Sequence, residues 1–311
     1  MPQIGEYLAT DASDMTNAIA SIPAYIERSS HFFAVVPTVR HHDVHGVTCD
    51  YGSWLERGWC RLEMWALLLA RFSNLPVIVV KGGEATPFMN SCQAALSRPP
   101  GLGKFTCCAQ GHRMPDKDGV MQCIPCDKDA ISTVMWAMLK AKLDHVRVTN
   151  QTVLYRKWCG CVPHIMQGLP VPDGVMSPYQ PVAIDEFLRL FRFKSATDEE
   201  GTRGTGWTPL FFACLSGNVP AVRLLLKAGS DVHCATTTSC TQFGMVGGCT
   251  PLGVLMSVGC DDVDDLVKIL LEAGADPNHR AHHGATLPHH AVMFHNAQSL
   301  RALLKLSLIH I

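Results

Sequence analysis

Two stretches of this chain repeat one another closely enough to constrain what its C-terminal half can become. "GTGWTPLFFACLSGNVPAVRLLLKAGSDVH" (Gly204 to His233) and "GCTPLGVLMSVGCDDVDDLVKILLEAGADPN" (Gly248 to Asn278) share a T-P-L opening, a short apolar run, a turn, a leucine-rich run and a closing A-G-x-D. A third copy begins at "GATLPHHAVMFHNAQSLRALLK" (Gly284 to Lys305), where T-L-P-H-H-A leaves Pro288 within the first turn. Self-similarity at this spacing marks a stack of supersecondary units, none of which can bury its apolar face alone. The residue choices fit. Thr208 and Thr250 can cap a first helix with a hydroxyl, and Pro209 and Pro251 sit at the first helical position, where a missing N–H costs nothing. Leu224, Leu225 and Leu226 give the second helix an apolar face, and Gly229 and Gly274 suit a left-handed closing residue.

These segments resemble ankyrin repeats. Thr208 to Thr250 spans 42 residues and Thr250 to Thr286 spans 36, against an ankyrin period of about 33. The excess falls in the Thr-rich finger "ATTTSCTQFGMVGG" and around "DDVDD". Upstream, "AIDEFLRLFRF" has apolar residues at 184, 187, 188 and 191, a helical spacing suited to covering the N-terminal end of the stack. The resemblance implies no chemistry but binding of another protein, through the finger tips and the concave face of the first helices. Arg203, Trp207, Phe243, Met245, Arg280, His282 and His283 fall at the tips, and Phe212 is expected to look out from the first inner helix. Aromatic and arginine side chains are common interface anchors. Packing against the next repeat is the alternative for Phe212, and solvation the alternative for the histidine pair.

The N-terminal part reads differently. "HFFAVV" (His31 to Val36) and "LPVIVV" (Leu75 to Val80) are short continuous apolar runs, as in strands of a parallel sheet buried on both faces. Between them, Leu55, Trp59, Leu62, Ala66 and Leu69 keep a helical period, with Ser53 and Glu56 as a candidate capping box. "MTNAIASIPAYIERSS" supplies an earlier helix. Together with the W-C-x-x-E segment "YGSWLERGWCRLEMWALLLA", these resemble the second half of a Toll/interleukin-receptor (TIR) domain over about Met15 to Lys81. The fold class expected is therefore α/β, a partial TIR-like parallel sheet, followed by an all-α ankyrin solenoid.

In the NAD-cleaving enzymes of that family the glutamate of this helix is catalytic, and the matching residue is Glu63. The resemblance thus implies NAD as the cofactor of an enzyme alternative. Glu63's neighbours one turn away are Trp59, Cys60, Ala66 and Leu67, so the carboxylate should be half-buried with its pKa raised. That suits catalysis or an internal ion pair with an arginine equally. Only about thirty residues precede the first clear strand, too few for the other side of a nucleotide cleft, and Met1 can be read as an internal methionine. A structural Glu63 is the reading preferred. His41, His42 and His45 follow the first strand and read as solvated.

The middle of the chain offers Cys107, Cys108, His112, Cys123 and Cys126. A CxxC pair with Cys and His upstream can bind zinc, which makes Cys107, His112, Cys123 and Cys126 the metal candidates. Adjacent cysteines suit a strand showing alternate faces better than two ligands of one ion, so buried thiols and no metal are the reading here. "AISTVMWAMLKAKLDHV" (Ala130 to Val146) follows as a helix. The organisation expected is a TIR-like region at 1–83, a helical and cysteine-rich extension at 84–168, a Pro/Gly linker at 169–182 and repeats at 183–305.

Leu306 to Ile311, "LSLIHI", are what the codons CTG TCT CTT ATA CAC ATC would encode, a string resembling a library-preparation transposase adapter, and read as a scar. With a net charge of −1 and no Lys/Arg tract there is no electrostatic case for nucleic acid or an anionic membrane. Without an export signal the fourteen cysteines read as reduced, and the chain as a cytoplasmic protein-binding scaffold, with a TIR-like signalling adaptor as the finer version.

Overall fold

The computed structural model describes residues 12–42, 45–71, 75–83, 85–116, 118–172, 181–198, 205–240, 243, 245–258 and 260–307. They form two compact units, one of residues 1–142 with 166–174 and the other of 143–165 with 175–311.

The first unit opens with α1 (Ala12–Arg28), β1 (Phe32–Val35), the short hairpin β2 (Val39–Arg40) and β3 (Thr48–Cys49), α2 (Tyr51–Glu56), α3 (Gly58–Leu69), β4 (Val77–Val80) and β5 (Phe88–Asn90). As expected, β1 and β4 pair in parallel, in register from Phe32 with Val77 to Val35 with Val80. β5 adds an antiparallel edge that the sequence reading lacked. Burial on both faces does not hold for β1. Ala34 is buried while Phe33 and Val35 are exposed, so among the described residues only one face of β1 is covered. The core instead gathers on α3, where Leu62 and the run from Met64 to Leu69 are all buried. Glu27 of α1 grips Arg71, just past α3, with two hydrogen bonds of 2.9 and 2.7 Å.

The single helix expected from Ser53 onward is two helices. Arg57 is extended (φ −80°, ψ 132°) and separates α2 from α3. The break is made by the segment that follows two 3₁₀ turns: the Gly58 N–H donates to the Lys104 carbonyl at 3.0 Å, and the Lys104 N–H to the Glu56 carbonyl. A Cβ at Gly58 would lie 1.9 Å from the Phe105 ring, so only glycine admits this crossing. The cap is also corrected. Asp50 caps α2, with the Ser53 N–H donating to its carboxylate and the Asp50 N–H donating to the Ser53 hydroxyl, both at 2.8 Å. Glu56 instead pairs with Lys104 at 2.6 Å. The unit continues through α4 (Thr106–Ala109), the hairpin β6 (Arg113–Pro115) and β7 (Met121–Cys123), and the start of α5 (Asp127–Val148). Ile131, Met135 and Leu139 line the buried side of α5.

The second unit contains α6 (Thr152–Ile165), α7 (Ile184–Leu190), and three helix pairs: α8 (Pro209–Leu215) with α9 (Val219–Lys227), α10 (Pro251–Leu255) with α11 (Val263–Glu272), and α12 (Leu287–Met293) with α13 (Ala297–Ser307). Each pair starts as its sequence specifies. The Phe211 N–H donates to the Thr208 hydroxyl at 3.2 Å and the Gly253 N–H to the Thr250 hydroxyl at 3.1 Å. Thr286 is capped reciprocally by His289, whose Nδ1 lies 2.7 Å from the hydroxyl, so the T-L-P-H variant still makes a box. Gly229 and Gly274 close α9 and α11 at φ of 87° and 94°.

Successive pairs stack, α8 on α10, α9 on α11 and α11 on α13. Polar stitches reinforce them: the Asn296 side chain donates to the Leu255 and Val258 carbonyls at 3.2 and 2.8 Å, and accepts from the Ser299 N–H. The leucine run divides: Leu225 is fully buried, whereas Leu224 is 38% exposed. α7 covers the first pair as expected, with Phe187 and Phe191 buried and the Phe191 and Phe193 rings each 5.9 Å from Phe212. Leu306 and Ser307 continue α13, and residues 308–311 of the expected scar lie outside the described residues. Among the described residues no helix is long and apolar enough to cross a membrane.

Candidate protein-binding surface, the Glu63 helix and the cysteine cluster

The aromatic residues expected to project from the repeats are buried. Trp207, Phe212, Phe243 and Met245 are core residues, which corrects their expected exposure. For Trp207 and Phe243 the physical reason is α6, while Phe212 is covered by Phe191 and Phe193 and Met245 pairs with Cys240 inside the finger. α6 packs on α8, the first helix of the first pair, and Gly160 lets it approach so closely that an added Cβ would stand 2.8 Å from a Leu215 methyl. Trp158 of α6 meets the Phe243 ring at 4.6 Å, and the Lys157 ammonium lies 3.4 Å from the centroid of the Trp207 ring. The finger itself folds back, with Cys240 bridged to Met245 and Gly206 at φ 68° passing beneath the Ala235 carbonyl. Trp207 and Phe243 thus pack against a helix of the same chain.

Two buried cations attend this packing. Burial lowers the pKa of the Lys157 ammonium, and the Cys240 thiol opposes that shift. Arg156 donates to the Phe191 and Arg192 carbonyls at 2.8 and 2.7 Å and stacks 3.6 Å from the Phe193 ring. Burial pulls its guanidinium down to about 10, against the attraction of Asp198, and it stays charged at neutral pH. An open cleft at the start of α6 is lined by Thr152, Lys157, Thr205, Trp207, Thr238 and Cys240.

The remaining surface candidates are open. Arg280, His282 and His283 are exposed on the turn before α12, with His283 in the left-handed region at φ 66°. Arg203 lies outside the described residues. The helix that follows this turn belongs to the third copy, as the sequence implied, but its exposed stripe was not among the candidates. His289, Val292 and Met293 share one stripe of α12, with Val292 66% and Met293 51% exposed. Val292 and Met293, spaced i+3 and i+4 from His289 on the first helix of the third copy, were the signal available in the sequence.

Glu63 sits mid-α3 and is half-buried, as its neighbours foretold. Burial raises its carboxyl above the ordinary 4.5, opposed by the charge of Arg57. Arg57 itself is exposed. Burial, and next the charge of Glu63, push the Cys60 thiol up to about 11, so the thiol is protonated at neutral pH. Around them α3 is tied down by its neighbours: Trp65 donates to the Arg98 carbonyl at 3.1 Å, Arg61 to the Leu55 and Pro99 carbonyls, and Trp59 to the Asp127 carboxylate at 3.0 Å. His41, His42 and His45 are exposed.

In the cysteine-rich segment, Cys107 and Cys108 lie on a turn of helix and not on a strand, so adjacency does not aim them apart. Ligand atoms of Cys107, Cys108, His112 and Cys126 all fall within 4.8 Å of one another. Cys123 is exposed on β7 and stands outside the group.

The comparisons with known proteins bear on one part of the chain. No curated protein matches it, and no family match supports the TIR resemblance of the N-terminal region. The matched stretch begins ahead of α7, and ends before the α12–α13 pair. The C-terminal part carries ankyrin repeats: a family model describing three copies of them matches residues 183–281.

Proposed function

We propose that this chain is a scaffold that binds another protein through the part of its repeat array that α6 leaves open, the turn at Arg280, His282 and His283 together with the adjoining stripe of α12. The observation carrying this is the contrast between first helices. Every residue of α8 and α10 is buried, whereas α12 keeps Val292 and Met293 in water beside a basic turn. Exposed apolar side chains next to an arginine suit a protein segment that brings acidic groups to Arg280 and apolar ones to the stripe. A TIR-like adaptor role for the N-terminal unit is the finer version, supported by the parallel β1–β4 pair flanking the W-C-x-x-E helix.

A photo-crosslinking residue placed at His283 tests the reading. The expected result is one dominant protein adduct that Arg280→Glu and Met293→Asp each abolish and Lys227→Glu, at an exposed site on α9, leaves intact. An adduct insensitive to both substitutions, or lost equally with Lys227→Glu, would overturn it. The alternative, cleavage of NAD by Glu63, draws support from the raised carboxyl pKa alone, and nicotinamide release is its assay.

A further inference from the structure

We propose that Cys107, Cys108, His112 and Cys126 form a binding site for one zinc ion, a closed Cys3His centre that fastens the β6–β7 hairpin and the start of α5 to the α3 side of the first unit.

The distances carry the argument. Thiolates bound tetrahedrally to one zinc at about 2.3 Å stand about 3.8 Å apart, and a thiolate and an imidazole nitrogen about 3.5 Å apart. Cys108 Sγ lies 3.9 Å from Cys107 Sγ, 3.8 Å from Cys126 Sγ and 3.6 Å from His112 Nε2. Three edges of the tetrahedron are therefore present around Cys108, and the widest separation in the group is 4.8 Å, which side-chain movement of about 1 Å would close.

The backbone is shaped for the same end. Gly111 and His112 adopt successive left-handed conformations at φ 61° and 57°, which turn the chain after α4 and bring the imidazole back to the thiol four residues earlier. A non-glycine residue in that region is held there by its surroundings. The His112 N–H donates to the Cys107 carbonyl at 2.8 Å, and the Ile124 N–H to the His112 carbonyl at 3.0 Å, so the hairpin leaves from one ligand and returns beside another. Outer contacts complete the site: the Asp127 N–H points to Cys107 Sγ at 3.5 Å, while its carboxylate accepts from Trp59 of α3. Such supporting donors orient and stabilise metal-bound thiolates. Three thiolates and one imidazole select zinc over hard cations, and four protein ligands leave no open position for catalysis.

The test is the metal content of the full chain purified from zinc-supplemented cells. About one zinc per chain is expected, released by a thiol-modifying reagent and detected with a chromogenic chelator. Cys108→Ser and His112→Ala should lose the zinc, whereas His112→Cys, which keeps a ligand, and Cys123→Ser, which lies outside the cluster, should retain it. Because a variant can fail to fold, the unaltered chain is also loaded with cobalt(II), which should show the intense visible bands of tetrahedral cobalt and sulfur-to-metal charge transfer. A zinc-free chain with octahedral cobalt bands, a Cys107–Cys108 or Cys108–Cys126 disulfide in freshly purified protein, or zinc lost equally with Cys123→Ser would overturn the assignment.

Discussion

The ammonium of Lys157 rests 3.4 Å from the centre of the Trp207 ring, and both side chains are almost completely buried. The relationship explains two absences at once: a tryptophan that the repeat pattern offers as an anchor is withheld from partners, and a lysine is held where lysine is rarely found. Both follow from α6 lying on α8. Gly160 permits that contact, since a Cβ there would meet Leu215 Cδ2 at 2.8 Å and Cγ at 3.0 Å. Gly160→Ala can be absorbed by rotation of the leucine methyl. Gly160→Val cannot, and overpacking of this kind costs about 1 to 3 kcal/mol. The expected outcome is a lowered midpoint for the valine variant alone, with faster hydrogen exchange in α8. Equal exchange in the two variants would mean that α6 is not held by this contact.

Within the stack the two neighbouring leucines make a sharper test. Leu225 and Leu270 are both fully buried, and Leu224 is 38% exposed. Leu225→Ala and Leu270→Ala should each cost about 2 to 5 kcal/mol by opening a cavity, and Leu224→Ala about 0.5 kcal/mol or less. Denaturant midpoints at constant slope give the comparison. A Leu224 loss matching that of Leu225 would mean the register of α9 is wrong.

What could be read in advance depended on whether the determinant was local. Thr208, Thr250 and Gly229 act within one helix turn, so their caps and closing turns were legible. α6 was not, because Gly160 and Pro163 argue against a helix and Arg156 and Lys157 occupy its buried side, which breaks the apolar pattern. Only tertiary partners, the Phe191 and Arg192 carbonyls and the Trp207 ring, make those charges tolerable. Of the cysteine cluster, Cys107, His112 and Cys126 were among the candidates, but Cys108 was set aside by strand alternation, while a four-residue helix and the left-handed Gly111–His112 turn place it beside them.

His290 predicts how the array responds to acid. It is buried, its two ring nitrogens have no hydrogen-bond partner, and burial, followed by the charges of His279 and His289, lowers its pKa from 6.5. The unfolded chain then takes up the proton first, so stability present above pH 6.5 is lost as pH falls from there through the folded value. His290→Leu should flatten that part of the stability profile and raise the midpoint at neutral pH by removing two unsatisfied polar atoms. Thermal midpoints taken across the acid limb would show it. An unchanged slope in the leucine variant would assign the acid sensitivity elsewhere.

Glu63 gives the last and most consequential test. Its carboxyl is raised above 4.5, burial being the larger cause and the charge of Arg57 the opposing one. The folded state therefore binds the proton more tightly than the unfolded one, and the stability that goes with it is lost as pH rises from 4.5 through the folded value. At neutral pH the charged form carries a net burial cost. Arg57, being exposed, would be hydrated if its partner charge were deleted, so Glu63→Gln leaves no buried cation behind. The variant should thus raise the thermal midpoint at neutral pH and change it little at pH 4 and below, the reverse of what a buried ion pair would give. A catalytic carboxylate held at an energetic cost would show the same gain in stability, so stability alone does not separate the two roles. Nicotinamide does. With Glu63 structural, neither the unaltered chain nor the glutamine variant releases nicotinamide from NAD. Release by the unaltered chain that the variant abolishes would make the W-C-x-x-E helix a catalytic element and the repeat array its targeting arm.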